Sequence, residues 1–145
     1  MTPEQRHNII KDFIRFCVNE LEIDNLPQIK FTTDRSWATS RRSFGQYDAN
    51  SGELIVYMGN RNLADLLRTL AHELVHHKQN ELGHITNSTA GKTGSPIENQ
   101  ANSLAGILLR NYGQVNDLIY EACIPSLKEV YEANKSPKLQ IYCDM

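Results

Sequence analysis

Leu63-Ala64-Asp65-Leu66-Leu67-Arg68-Thr69-Leu70-Ala71-His72-Glu73-Leu74-Val75-His76 sets leucines at 63, 66, 67, 70 and 74, the spacing of one apolar stripe on a helix. Asn62 before it is a good N-cap, and Asp65 puts an acid in the first turn, where the helix dipole favours negative charge. The spacing predicts a helix of four to five turns that ends between Asn80 and Gly83. His72 and His76, four apart, leave such a helix on nearly the same face, so two imidazole nitrogens can reach one metal ion. Glu73 then lies beside the metal without ligating it. A carboxylate there can take a proton from a metal-bound water and pass it to a leaving amine, and this is why HExxH on a helix reads as a hydrolase motif. With five histidines in the chain, a random shuffle of this composition contains the motif about one time in a hundred.

Outward from that helix, the chain reads as a helix, three strands and then more helices. Thr2-Pro3-Glu4-Gln5 is an N-cap, an N1 proline and a reciprocal glutamine cap; Ile10, Phe13, Ile14, Cys17, Val18 and Leu21 follow at helical spacing and predict a helix over 3–22. Ile29-Lys30-Phe31-Thr32, Ser43 to Tyr47 and Glu53 to Met58 read as strands, the last two joined by a hairpin loop at Asp48-Ala49-Asn50-Ser51-Gly52. Gly83 to Ser95 is rich in Gly, Thr, Ser and Asn and reads as a surface loop bordering a cleft. Ser95-Pro96-Ile97-Glu98 opens another helix with Ile97, Ala101, Leu104 and Leu108 on one face. Beyond Gly113 the helical pattern resumes, broken at Pro125, with a short strand through Leu139-Gln140-Ile141-Tyr142 at the end. The order suits a single α+β domain over residues 1–145, its small sheet packed on helices.

Composition excludes several classes. The formal net charge of −2 offers no general attraction to nucleic acid or to an acidic membrane surface. Apolar runs such as Leu54 to Met58 are far short of the roughly 20 residues a bilayer span needs. The start of the chain carries Glu4, Arg6 and His7 and reads as helix, not as a signal peptide, which points to a cytoplasmic protein. Cys17, Cys123 and Cys143 form no CxxC pair, so neither a disulfide framework nor a cysteine zinc knuckle is indicated; Cys17 falls on an apolar helix face.

A catalytic zinc takes three protein ligands and keeps a position open for water, so a third donor is required. Glu98 is the candidate, on a helix whose Ala101, Ala105 and Gly106 are small enough for close approach. The competing role is local: Ser95-Pro96-Ile97-Glu98 is also a capping box, in which Glu98 folds back on the Ser95 amide. His84 and Asp117 are weaker alternatives as ligands. A continuation HExxHxxGxxH is excluded by Gln79 and Leu82. His77 projects about 100° around the wheel from His76, which suits a surface residue or one behind the ligands. Arg41-Arg42 is either a binding site for a substrate carboxylate or a solvated pair.

These residues resemble the gluzincin class of zinc metallopeptidases, in which an HExxH helix is followed by a helix carrying a glutamate ligand in an ExxxD-type segment. Glu98-Asn99-Gln100-Ala101-Asn102 supplies the glutamate and puts Asn102 where that class has an acid that orients the first histidine. The likeness covers roughly residues 43 to 110, and Leu66 to Glu73 is also similar to small metallopeptidases encoded by tailed phages. The resemblance implies a minimal zincin-like domain holding one Zn2+ on His72, His76 and Glu98. It also implies hydrolysis of a peptide or protein substrate with Glu73 as general base, most simply as an endopeptidase of restricted targets; the segment Glu53 to Met58 is either the counterpart of the zincin edge strand, along which a peptide substrate adds, or an ordinary sheet strand. Tyr112, Tyr120, Tyr142 and His84 are the candidate oxyanion donors. For a phage-encoded chain the implied location is the host cytoplasm. The reading outside this class is a zinc-binding structural or binding protein without turnover.

Overall fold

The computed structural model describes residues 1–85, 95–121 and 139–141, with backbone alone at Glu121 and 139–141. It is an α+β fold whose elements run α1 (Pro3–Glu20), β1 (Gln28–Thr32), α2 (Arg35–Arg41), β2 (Gly45–Asp48), β3 (Glu53–Tyr57), α3 (Leu63–Glu81), α4 (Pro96–Val115), α5 (Leu118–Glu121) and β4 (Leu139–Ile141). No helix among the described residues is long and apolar enough to cross a membrane.

The long helices begin where their caps put them. Thr2 accepts from the Gln5 amide and Gln5 returns the bond to the Thr2 amide, a complete capping box ahead of Pro3. Asn62 accepts from the Asp65 amide at the head of α3. Ser95 accepts from the Glu98 amide at the head of α4.

The sheet order is β2-β3-β1-β4, with β1 and β3 parallel and both edge strands antiparallel to their neighbours. One consequence corrects the expectation for Glu53 to Met58. β3 is an interior strand, paired on both sides, and the edge beside α3, unpaired among the described residues, belongs to β2. The hairpin loop between them forms as read: Gly52 takes φ of 74°, its amide bonds to the Asp48 carbonyl at 2.8 Å, and the Asp48 carboxylate accepts from the Asn50 amide. The strand expected at the C-terminal end is β4; Tyr142 lies outside the described residues, as do Cys123, Cys143 and the greater part of the Gly83–Ser95 loop.

A short helix, α2, stands between β1 and β2, where no helix was expected. Asp34 caps it through the Ser36 amide, and Arg42 ends it in the left-handed region. One face of the sheet supplies Ile29, Phe31, Leu54 and Val56 to the core, and these meet Ile10, Phe13, Ile14 and Cys17 of α1 and Leu66, Leu67, Leu70 and Leu74 of α3. Truncating one of these leucines to alanine costs about 2–5 kcal/mol. Ala71, Ala101 and Ala105 are fully buried where α3 and α4 pack. Gly106 is not needed for that approach, since a Cβ there would meet only the end of Arg68 at an ordinary 3.6 Å.

Candidate metal centre

Seen from its helices, the centre is a junction of two capped N-to-C frames. α3 carries His72 and His76 one turn apart, and their imidazoles meet edge to face with centroids 4.6 Å apart and Nε2 atoms 3.1 Å apart. α4 brings Glu98 in from its first turn, Oε2 at 3.1 Å from His72 Nε2 and Oε1 at 3.0 Å from His76 Nε2. All the donor atoms lie within 4.8 Å of one another. The two roles open to Glu98 therefore separate by atom: its backbone amide is capped by the Ser95 hydroxyl, while its carboxylate faces the histidines.

The far sides of the imidazoles are held. Gln79 Nε2 donates to the Ile97 carbonyl at 3.0 Å and to Gln100 Oε1 at 2.8 Å, which turns Gln79 Oε1 toward His76 Nδ1 at 2.8 Å. An amide oxygen only accepts, so His76 carries a proton on Nδ1, which makes Nε2, on the side of Glu98 and His72, its metal-binding atom. His72 hydrogen-bonds the Asn102 side chain. Burial, and then the neighbouring His76, hold the His72 imidazole below its ordinary pKa, with Glu98 opposing them. Electron-rich nitrogen and carboxylate atoms thus converge on one point, the donor chemistry and the oriented outer partners that a divalent metal site requires.

Glu73 is buried at 6 % exposure next to this point. Desolvation, and then the charge of Glu98, push its carboxyl up to about 8. β2 lies on α3 at Gly45, where a Cβ would stand 2.8 Å from Thr69 Cγ2 and 3.1 Å from Glu73 Oε1; only glycine leaves the carboxylate its place. On one side of the centre a cavity of about 540 Å³ is lined by His72, Glu73, His76 and Glu98 together with Gly45 and Tyr47 of β2 and Arg41 and Arg42 at the end of α2. A smaller one of about 240 Å³ lies on the other side, against Phe44, Arg68, Thr69 and Asn102. Both share Ser43 and Gly45, so the depressions run along the same free edge.

The remaining residues singled out in the sequence lie elsewhere. His77 is buried, not on the surface, and points away from the centre. Its Nε2 donates to the Asn25 carbonyl at 2.7 Å, so its Nδ1 accepts from the Tyr47 hydroxyl at 2.8 Å, and Asn80 donates to the same hydroxyl. Tyr112 is in the core, ring against Phe13 and hydroxyl on Asp12 at 2.7 Å; burial and that bond push its phenol up to about 12. Four turns along α4 from Glu98, it is no oxyanion donor for this centre. Tyr120 is on α5, its ring against Gly113 at the same distant end of α4, and Asp117 precedes it at the turn. His84 is exposed beyond α3 and is not part of the metal-ligand cluster.

Two contributors were not singled out in the sequence. Gln79 is three residues after His76, on the same helical face, and that spacing was its signal. Gly45 is a glycine inside a strand pattern, which signals close backbone approach. Comparison with protein-family models, with curated proteins and with solved structures finds no match to this chain.

Proposed function

We propose that the chain is a gluzincin-like zinc metallopeptidase that holds one Zn2+ on His72, His76 and Glu98 and cleaves peptide bonds in a restricted set of protein targets. The observation that carries this reading is the convergence of two imidazole Nε2 atoms and one carboxylate beside a buried glutamate, in a cavity along a strand edge that is unpaired among the described residues. Zinc in that position supplies Lewis acidity, lowering the pKa of water to about 7 and polarising a scissile carbonyl.

The other steps belong to the protein's own groups. An extended peptide adds to the edge of β2 by main-chain hydrogen bonds, which sets its scissile bond across the centre. Glu73, buried beside the proposed ligands, takes the proton of the attacking water and returns it to the departing amine. Gln79 and Asn102 keep the imidazoles turned, and Gly45 keeps room for the Glu73 carboxylate. A cytoplasmic setting, the host's if the gene is a phage's, completes the proposal.

The test is a comparison of the zinc-loaded chain with Glu73→Gln on a pool of quenched fluorescent peptides. The reading expects unchanged zinc content and a loss of about 10²–10⁴-fold in turnover. Zinc retained with no turnover by the unaltered chain would favour a zinc-binding scaffold instead.

A further inference from the structure

Arg41 and Arg42 sit at the end of α2, and both line the larger cavity beside the centre. Both are exposed to solvent at its mouth. The Arg41 guanidinium rests 5.2 Å above the Trp37 ring, which gives a long side chain a fixed seat. Arg42 closes α2 with φ of 53° and ψ of 35°, its amide bonded to the Ala38 and Thr39 carbonyls. Glycine is the usual residue at such a left-handed cap, and a side chain with a Cβ costs about 1–2 kcal/mol there. An arginine in that position keeps a charge at the cavity against a backbone preference.

Among the described residues that charge has no carboxylate partner. Among the described residues Arg61 pairs with Asp65 and Lys30 with Glu53, but no carboxylate pairs with Arg41 or Arg42. From Arg35 to Gly45 the chain carries no acid, and Asp34, just before, spends its carboxylate on capping Ser36. The two carboxylates at the centre, Glu73 and Glu98, match the charge of one divalent ion, which leaves the arginine pair as local excess in a chain of net charge −2. A cavity with one uncompensated sign concentrates the opposite charge, and a guanidinium pair is shaped for carboxylate.

We infer that Arg41 and Arg42 form a subsite for a carboxylate of the substrate, carried by an Asp or Glu side chain or by the peptide's C-terminus, on one side of the scissile bond. This rests on the peptidase reading, since it assigns specificity to that groove.

The experiment uses the zinc-loaded full chain and amidated peptide libraries in which one position at a time is fixed as Asp, Asn or Lys. A further Asn library ends in a free carboxylate. Cleavage is followed with the unaltered chain and binding with zinc-loaded Glu73→Gln. The inference expects Asp to exceed Asn by about tenfold at one position, Lys to fall below Asn, and the difference to shrink with salt. The Arg41→Glu/Arg42→Glu chain inverts the order, whereas Arg41→Lys/Arg42→Lys keeps its sign at reduced size. A preference seen only with the free terminus identifies the chain end as the carboxylate. Circular dichroism and zinc content verify that each variant is folded. Equal use of Asp and Lys, or a preference that survives charge reversal, overturns the subsite and leaves the pair solvated. If nothing is cleaved, the peptidase reading fails, and binding to Glu73→Gln still decides the subsite.

Discussion

His76 Nε2 stands 3.0 Å from Glu98 Oε1, although the two residues belong to different helices and Glu98 lies in the first turn of its own. That turn needs only the Glu98 amide, which Ser95 takes, so the carboxylate is free for the centre. Cap and ligand are then separable by mutation. Ser95→Ala costs about 1 kcal/mol of stability and leaves one zinc per chain. Glu98→Gln removes the ligand charge while folding as before. Thermal melts and metal analysis of the two variants check the separation.

Gln79 and Asn102 reach the candidate metal centre through the imidazoles of His76 and His72. Gln79→Leu releases the His76 ring, so zinc affinity falls about 10–100-fold. Asn102→Asp gives His72 a charged acceptor, and affinity rises. A competition titration against a zinc chelator reads both signs.

Gly45→Ala forces a methyl group into the space shared with Thr69 and the Glu73 carboxylate. Turnover falls with zinc content preserved, since the atoms nearest the new methyl belong to Thr69 and Glu73 and not to a proposed ligand. A kcat measurement beside metal analysis separates this from a lost metal site.

Stability of the metal-free chain depends on pH in a direction set by Glu73. Its folded value of about 8 exceeds its unfolded value of 4.5, so between them the folded state binds the extra proton and stability falls as pH rises. His72, lowered from 6.5, acts with the opposite sign, but its contribution is complete above about that value. From pH 6.5 to 8 the Glu73 slope stands alone of the two, at most about 1.4 kcal/mol per pH unit. Urea melts of the metal-free chain and of Glu73→Gln, which lacks the slope, check it.

His77→Phe tests the neighbouring network without touching the centre. It leaves the Tyr47 hydroxyl and the Asn25 carbonyl short of a partner and costs about 1–3 kcal/mol. Zinc stoichiometry is unchanged, and denaturant melts give the cost.

The sequence is most legible where one helix writes its own signal. Caps at Thr2, Asn62 and Ser95 and the leucine stripe from Leu63 to Leu74 locate three helices without reference to anything distant. Position within the sheet is another matter, because a strand's own pattern does not name its neighbours. Glu53 to Met58 read as an edge, yet the near-continuous apolar run Leu54-Ile55-Val56-Tyr57 suits a strand paired on both sides, as it is. α2 escaped because seven residues carry too little apolar periodicity, though Asp34 and Ser36 held its cap. At the centre, His72, Glu73 and His76 were readable from helical spacing, and Glu98 only from the need for a third donor. Tyr112 was read by residue type alone, and only tertiary packing reveals that its hydroxyl belongs to Asp12.

The most direct measurement is a zinc titration of the metal-free chain beside Glu98→Ala, followed by calorimetry. The account predicts one tight zinc per chain for the first and binding weakened by well over the 10–100-fold of an outer partner for the second. No zinc bound by the unaltered chain, or equal affinity in Glu98→Ala, would contradict it.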